Sequence, residues 1–159
     1  MTLDWSCQHH DALTKEALYA ILALRTQVFV VEQKCPYLEV DGLDLVGDTH
    51  HLMARDGERL VAYLRLLDPV RQGGEVVIGR VVIEASARGA GLGRPLMAQA
   101  LEACERLWPG TPVYLSAQAH LQGYYGRFGF EPVTEVYLED DIPHIGMRKA
   151  AGVGMTETV

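Results

Sequence analysis

Cysteine is scarce in this chain: three among 159 residues, Cys7, Cys35 and Cys104, with no Cys-x-x-Cys pair. That is too few and too scattered for a disulfide framework or a thiolate zinc site, so all three are read as reduced and structural. No stretch reaches the ~18 uncharged apolar residues a membrane helix needs. Met1 to His10 also lacks the basic and apolar regions of a signal peptide. The expected setting is therefore the cytoplasm, with no membrane partner. Positive charge is the minority sign, 14 Lys and Arg against 21 Asp and Glu, giving a formal charge of -7 and a pI of 5.3. A polyphosphate backbone would repel such a chain, which argues against nucleic acid. A small anionic ligand stays compatible where basic side chains and backbone N–H groups concentrate locally.

What is present suits one globular domain: 48% apolar residues, no internal repeat and no linker. Ala12 to Gln33 has apolar residues at helical spacing, predicting one long amphipathic helix with Asp11 or Thr14 as N-cap. Lys34 to Asp48 is a long acidic loop, of the kind that tends to be functional. His51 to Arg55 and Leu60 to Leu67 read as strands around an Asp56-Gly57 hairpin of type I′. Asp68 to Gly74 is a second loop. Then come a β-branched strand, Val76 to Ile83, a glycine-rich turn, Ser86 to Gly93, and a helix, Pro95 to Leu107. Val113 to Ala117 is a strand and Leu121 to Phe128 a short helix. Two late strands, Pro132 to Leu138 and Ile142 to Arg148, flank the turn Glu139-Asp140-Asp141. Ala150 to Val159 is expected to fray. The alternation gives an α/β (α+β) domain with a mixed sheet.

The segment Arg88-Gly89-Ala90-Gly91-Leu92-Gly93-Arg94-Pro95 carries the most chemistry. Its glycines let successive N–H groups converge at a helix start, forming an anion cradle, and Pro95 suits a first helical turn, which places the helix start at about Gly93. A Walker loop is excluded because no Gly-Lys-Ser/Thr occurs. The dinucleotide pattern fails because Leu96 stands where a third glycine is needed. A purely structural strand-to-helix turn remains the other reading.

Arg88-x-x-Gly91-x-Gly93 after a β-branched strand resembles the acetyl-CoA motif of the GNAT N-acetyltransferases. Tyr124-Tyr125-Gly126-Arg127-Phe128-Gly129-Phe130 looks like that family's later helix and turn. The resemblance covers residues 6–149, the expected N-acetyltransferase domain. Phe29 to Gln33, Cys35 to Tyr37, Asp41-Gly42, Ala117 to Gln122 and Ile142 to Met147 are similar to its ElaA-type branch. It implies a mostly antiparallel, twisted sheet flanked by helices, with the strands matching Val76 to Ile83 and Val113 to Ala117 splayed apart. The pantetheine arm of acetyl-CoA would pair with Val81, Val82 and Ile83, and an N–H near Val82 would stabilise the oxyanion. The pyrophosphate would rest on the N–H groups of Gly89, Ala90, Gly91, Leu92, Gly93 and Arg94, with Arg88 and Arg94 as cofactor-side charges and Arg127 either a third or simply solvated. A primary amine, cationic when protonated, would attack directly, and Tyr125 would protonate the leaving thiolate. A non-catalytic acyl-CoA-binding or sensor module is the alternative. The acceptor's identity and pairing into a homodimer stay open.

This sequence departs from the family pattern in three places. Ala85 replaces a frequent proline, and Gln118 stands where an asparagine often contacts the cofactor arm. Gly79 stands where histone-acetylating relatives carry a catalytic glutamate, so no base carries over. Glu32, Asp41 and His120 are the candidates, sharing the proton through a water relay. Glu32, Glu39, Asp41, Asp44 and Asp48 read first as a solvated loop, with attraction of a cationic amine as the alternative. Tyr124 is read as core, and His50, His51, His120 and His144, each a possible base because a free imidazole titrates near neutrality, are read first as structural or surface residues. No spacing suggests a metal site.

Overall fold

The computed structural model describes residues 2–151; the expected tail lies outside them beyond its first two residues. Eight strands form one open sheet in the order β1-β2-β3-β4-β5-β8-β6, with β7 on β8. They are β1 (Asp4–His9), β2 (His50–Asp56), β3 (Arg59–Leu67), β4 (Val76–Ile83), β5 (Val113–Gln118), β6 (Glu131–Pro132), β7 (Tyr137–Glu139) and β8 (Ile142–Lys149). Every pairing is antiparallel except β4 with β5. Helices α1 (Lys15–Arg25), α2 (Gly93–Leu107) and α3 (Gln122–Gly126) complete the fold.

Both faces of β3 are covered, and all its residues but Arg59 are buried. The stripe Leu96, Met97, Ala100, Ala103 and Cys104 of α2 packs with Leu52, Leu64, Leu66 and Leu115 in one core cluster. Ala17, Ile21 and Leu24 of α1, with Val28, pack with Met53, Leu60, Tyr63 and Val82 in the other. Removing these apolar side chains from water is the main force joining the layers. Thr14, not Asp11, caps α1, its hydroxyl accepting from the Ala17 N–H at 3.0 Å. Among the described residues, no helix is long and apolar enough to cross a membrane.

Several expected elements differ in detail. The predicted long helix is α-helical only to Arg25, and Thr26–Glu32 winds as a π-helix. Thr26, Val28, Val30 and Val31 are β-branched, and such side chains crowd the tighter α turn. The first hairpin turns on Gly57 and Glu58, since Asp56 pairs with Arg59. Of these only Gly57 has positive φ, +65°, which is the type II′ signature and not type I′. Strand β1 was not anticipated. The predicted strand Pro132 to Leu138 is interrupted over 133–136. There the Thr134 hydroxyl accepts the Gly146 N–H at 2.8 Å, in place of a continued backbone ladder.

The acidic loop is not a solvated run. Glu39 and Asp44 are 5% exposed, and three arginines outside the loop hold it. Fully buried Arg25 places Nε 2.6 Å from Glu39 Oε2 and Nη1 2.7 Å from Asp44 Oδ1. Arg65 of β3 binds Asp41 at 2.6 Å and Asp44 at 3.0 Å. Arg80 of β4 binds Glu39 at 2.8 Å and Asp41 at 3.2 Å. His51 Nε2 donates to the Asp44 carbonyl at 2.9 Å and Nδ1 accepts from the Tyr63 hydroxyl at 2.6 Å. Removing one partner leaves buried charge uncompensated. Arg25→Met is accordingly expected to lower unfolding stability by about 3–5 kcal/mol, measured by urea denaturation; a change within 1 kcal/mol would show that the network contributes little.

Candidate active site

Strands β4 and β5 pair only at Val76 with Val113 and Val77 with Tyr114. Beyond these pairs they diverge, and the divergence has a local cause. Across the β3–β4 register Tyr63 faces Val82 and Arg65 faces Gly79, so Arg80 and Val81 together oppose Leu64 alone. This is a β-bulge, and Arg80 sits in it with φ +53°, a left-handed conformation unfavourable for a side-chain-bearing residue. Glu39 and Asp41 grip its guanidinium.

The opened wedge is a cavity of about 310 Å³ lined by both strands, Phe29 of the π-helix and Gln33 just after it, Tyr125 of α3, and Glu139 and His144 of the β7–β8 hairpin. An apolar hollow of about 340 Å³, lined by Ile83, Gly93, Met97 and Tyr124, shares Val81, Leu121 and Tyr125 with it. The two form one slot running through the sheet beside Tyr125.

The glycine-rich turn meets this slot at Gly93, which lines its apolar part. Gly89 and Gly91 have φ of +86° and +74°, and a Cβ at either would meet nothing within 4 Å. Backbone conformation, not crowding, calls for glycine at both. The N–H groups of Arg88 and Ala90 close turns on Ala85 and Ala87. The first-turn N–H groups of Gly93 and Arg94 have no intrahelical acceptor, and Pro95 has none to give. Exposed Gly89 and Gly91 therefore lead into a helix start with unspent donors, the arrangement an anion fits. Leu92 puts its side chain in the core, so only its backbone could serve such a ligand. At Gly93 a Cβ would stand 2.9 Å from the Tyr124 hydroxyl. Tyr124 thus lines the slot, contrary to the core role expected of it.

Other expected residues are placed as follows. Val81 lines both parts of the slot, Ile83 the apolar part and Gln118 the polar part, while Val82 is buried toward α1. Arg94 and Arg127 are exposed. Arg88 is tied back, its Nη2 2.7 Å from Glu32 and its Nε donating to the Ile83 carbonyl at 3.0 Å. Tyr125 is half-buried, and burial together with nearby Tyr124 raises its pKa, so the phenol keeps its proton at neutral pH. Of the three candidate bases, none lines the slot. Glu32 pairs with Arg88. Exposed His120 lies outside the slot lining. Asp41 is held by Arg65 and Arg80. Sequence reasoning passed over Arg25, Arg65 and Arg80, although charged residues within an apolar helix face and two buried strands were a signal. His9, His10 and Asp11 cluster at the β1 edge, away from the slot. The Asp11 N–H already occupies His9 Nδ1 at 3.0 Å.

An open mixed sheet split beside a donor-rich helix start is the architecture of an acyl-CoA-dependent acyltransferase. The model of the acetyltransferase (GNAT) domain matches residues 12–151, and the chain belongs to that family. It is 52% identical to Protein ElaA of Escherichia coli strain K12, over 92% of this chain and 96% of that protein. Among solved structures, an acyl-CoA N-acyltransferase from Pseudomonas aeruginosa is 74% identical with a TM-score of 0.92, covering 94% of this chain and all of the other. Escherichia coli ElaA is 51% identical with a TM-score of 0.89, over 93% and 99% of the two chains.

The Asp41 geometry sets an acid limit on the site. Burial disfavours its charge, but hydrogen bonding to Arg65, with the Arg65 charge, outweighs this and lowers the pKa from 3.8 to about 2. The folded state thus binds fewer protons than the unfolded state in this range, so the contribution is complete above pH 3.8 and is lost as pH falls toward 2. In stability measured across that window, Asp41→Asn is expected to flatten the acid limb. An unchanged limb would assign it to other carboxylates.

Proposed function

We propose that the protein transfers the acetyl group of acetyl-CoA to a primary amine of a small molecule, peptide or protein, by direct attack in a ternary complex. The observation that carries this reading is the slot itself. It joins a cradle of free N–H groups at one end to a half-buried, protonated phenol midway and a polar cavity beyond. A phosphate-bearing thioester needs all three, and the acyl-CoA N-acyltransferase described for the 74% identical relative supports such a donor.

In this reading the N–H groups of Gly89, Gly91, Leu92, Gly93 and Arg94 hold the pyrophosphate, with Arg94 adding exposed positive charge; that of Ala90, expected to join them, is spent on the Ala87 carbonyl. Ion-paired Arg88 orders the turn through the Ile83 carbonyl and Glu32. Val81, Val82 and Ile83 offer a strand edge to the pantetheine arm, an N–H near Val82 faces the acyl oxygen, and Gln118 contacts the arm from β5. Tyr125 donates its proton to the departing sulfur, which carries charge only as the thioester breaks. The second reading, a non-catalytic acyl-CoA sensor, would need the cradle but not the phenol. We place the protein in the cytoplasm, acting on acceptors that need not be macromolecular.

Release of CoA from acetyl-CoA in the presence of amines, peptides and polyamines tests the proposal. Tyr125→Phe is expected to retain acetyl-CoA affinity by calorimetry while losing on the order of 10²–10⁴ in turnover. Near-normal turnover in that variant would remove Tyr125 from the acid role. No CoA release by the unaltered protein with any acceptor would favour the sensor.

A further inference from the structure

The proposed transfer needs a group to take the proton lost by the attacking nitrogen. The groups on the α1 side of the cavity are already engaged. Arg80 is paired twice. The Tyr37 hydroxyl donates to Glu39 at 2.8 Å, and burial and that carboxylate raise its pKa, so it stays protonated. The opposite wall, built by β7 and β8, is different. Resting on the acetyl-transfer reading, we propose that His144 is the general base, acting through Nε2, with Glu139 as its positioning residue.

His144 is 8% exposed and lines the same cavity as Tyr125. In the β5–β8 register it lies opposite Gln118. Its Nδ1 is 2.8 Å from the Ile142 carbonyl oxygen, which can only accept, so Nδ1 carries the hydrogen and Nε2 keeps its lone pair. Nε2 stands 3.6 Å from Glu139 Oε2. Two acceptors so placed gain nothing from each other until a proton arrives, when they become an ion pair. Glu139 is half exposed but tethered, with Ser116 Oγ donating to its Oε1 at 3.4 Å. The Ser116 hydroxyl is also hydrogen-bonded to that of Tyr137, whose ring stacks on the imidazole with centroids 6.3 Å apart and an interplanar angle of 27°. The ring is thus held by the Ile142 carbonyl and the Tyr137 ring, while Nε2 makes no hydrogen bond within the protein and is not among its buried unsatisfied atoms, so it is open to the cavity that His144 lines.

The step balances as follows. The neutral amine nitrogen bonds to the acyl carbon, and that nitrogen gives one proton to His144 Nε2. The carbon–sulfur bond breaks, and its electron pair leaves on sulfur, which takes a proton from Tyr125. Imidazolium and phenolate then exchange protons with water, so one proton has moved from nitrogen to sulfur. The charged and titratable groups around the ring are Glu139 and Tyr137 of β7, Asp140 of the adjoining turn, and Arg80 and Tyr125 across the cavity.

The test uses the full chain with acetyl-CoA and benzylamine, spermidine or a lysine-containing peptide, whichever reacts fastest. His144→Gln is expected to keep acetyl-CoA affinity and lose about 10²–10⁴ in kcat near pH 7. The loss should persist as pH approaches the amine's own ionisation, because the attacking nitrogen is neutral in both proteins. Glu139→Gln, altered at a half-exposed site, should lower kcat and leave the KM for acetyl-CoA unchanged. If both variants keep the original kcat, the assignment is overturned. Nitrogen-15 NMR of the free protein judges it without any acceptor: in the neutral imidazole the His144 proton should reside on Nδ1, and a proton on Nε2 contradicts the proposal. Absence of turnover with every amine counts against acetyl transfer itself, whereas activity with an unaltered His144→Gln profile counts against His144 alone.

Discussion

The left-handed Arg80 in β4 is the constraint on which the rest of the site depends. A residue with a side chain resists this conformation by roughly 1–2 kcal/mol, and here the Glu39 and Asp41 carboxylates fasten its guanidinium in place. Those carboxylates belong to a loop that buried Arg25 and Arg65 hold against the sheet. The bulge in turn adds a residue to β4 opposite Leu64, ends its pairing with β5 after Val77, and opens the slot. A buried ion network is weak evidence of added stability. Its value here is geometric: three arginines and three acids secure a backbone shape that the strand would otherwise relinquish.

The slot is chemically unequal along its length. Toward α2 it is apolar and reaches Gly93 at the helix start; toward the β7–β8 hairpin it is polar. The hairpin turns on Asp140 and Asp141, both at positive φ, as a type I′ turn requires. Gly146 on β8 has no room for a side chain, because a Cβ there would meet the Tyr114 hydroxyl and Thr134. In the proposed function the phenol of Tyr125 and the imidazole of His144 border one cavity, one giving a proton and the other taking one.

The parts of this architecture legible in the sequence are those set by neighbours along the chain. Strand β4, the start of α2 at Gly93 and the cradle follow from a β-branched run, glycine spacing and Pro95. The GNAT family was recognisable because its two motifs lie in order. What was missed is tertiary. The acids of the loop looked solvated because their partners lie on α1, β3 and β4, distant in sequence. Gly79 within β4 was a local signal for the bulge, and Leu3, Trp5 and Cys7, all packed on the core, alternate as a strand should. His144 was visible only as one imidazole among several, within the Ile142 to Met147 stretch, since its tautomer and its carboxylate neighbour arise only from the β7–β8 pairing.

The central claim is that the divergence of β4 and β5, with the turn that meets it at Gly93, is where an acyl-CoA docks. Amide hydrogen–deuterium exchange of the intact protein, with and without CoA, tests this most directly. Protection is predicted to rise in peptides spanning Gly89 to Arg94 and Leu115 to Gln118, with little change in β1 and β2. Protection absent from both segments at saturating CoA, or confined to another face of the molecule, would contradict the account.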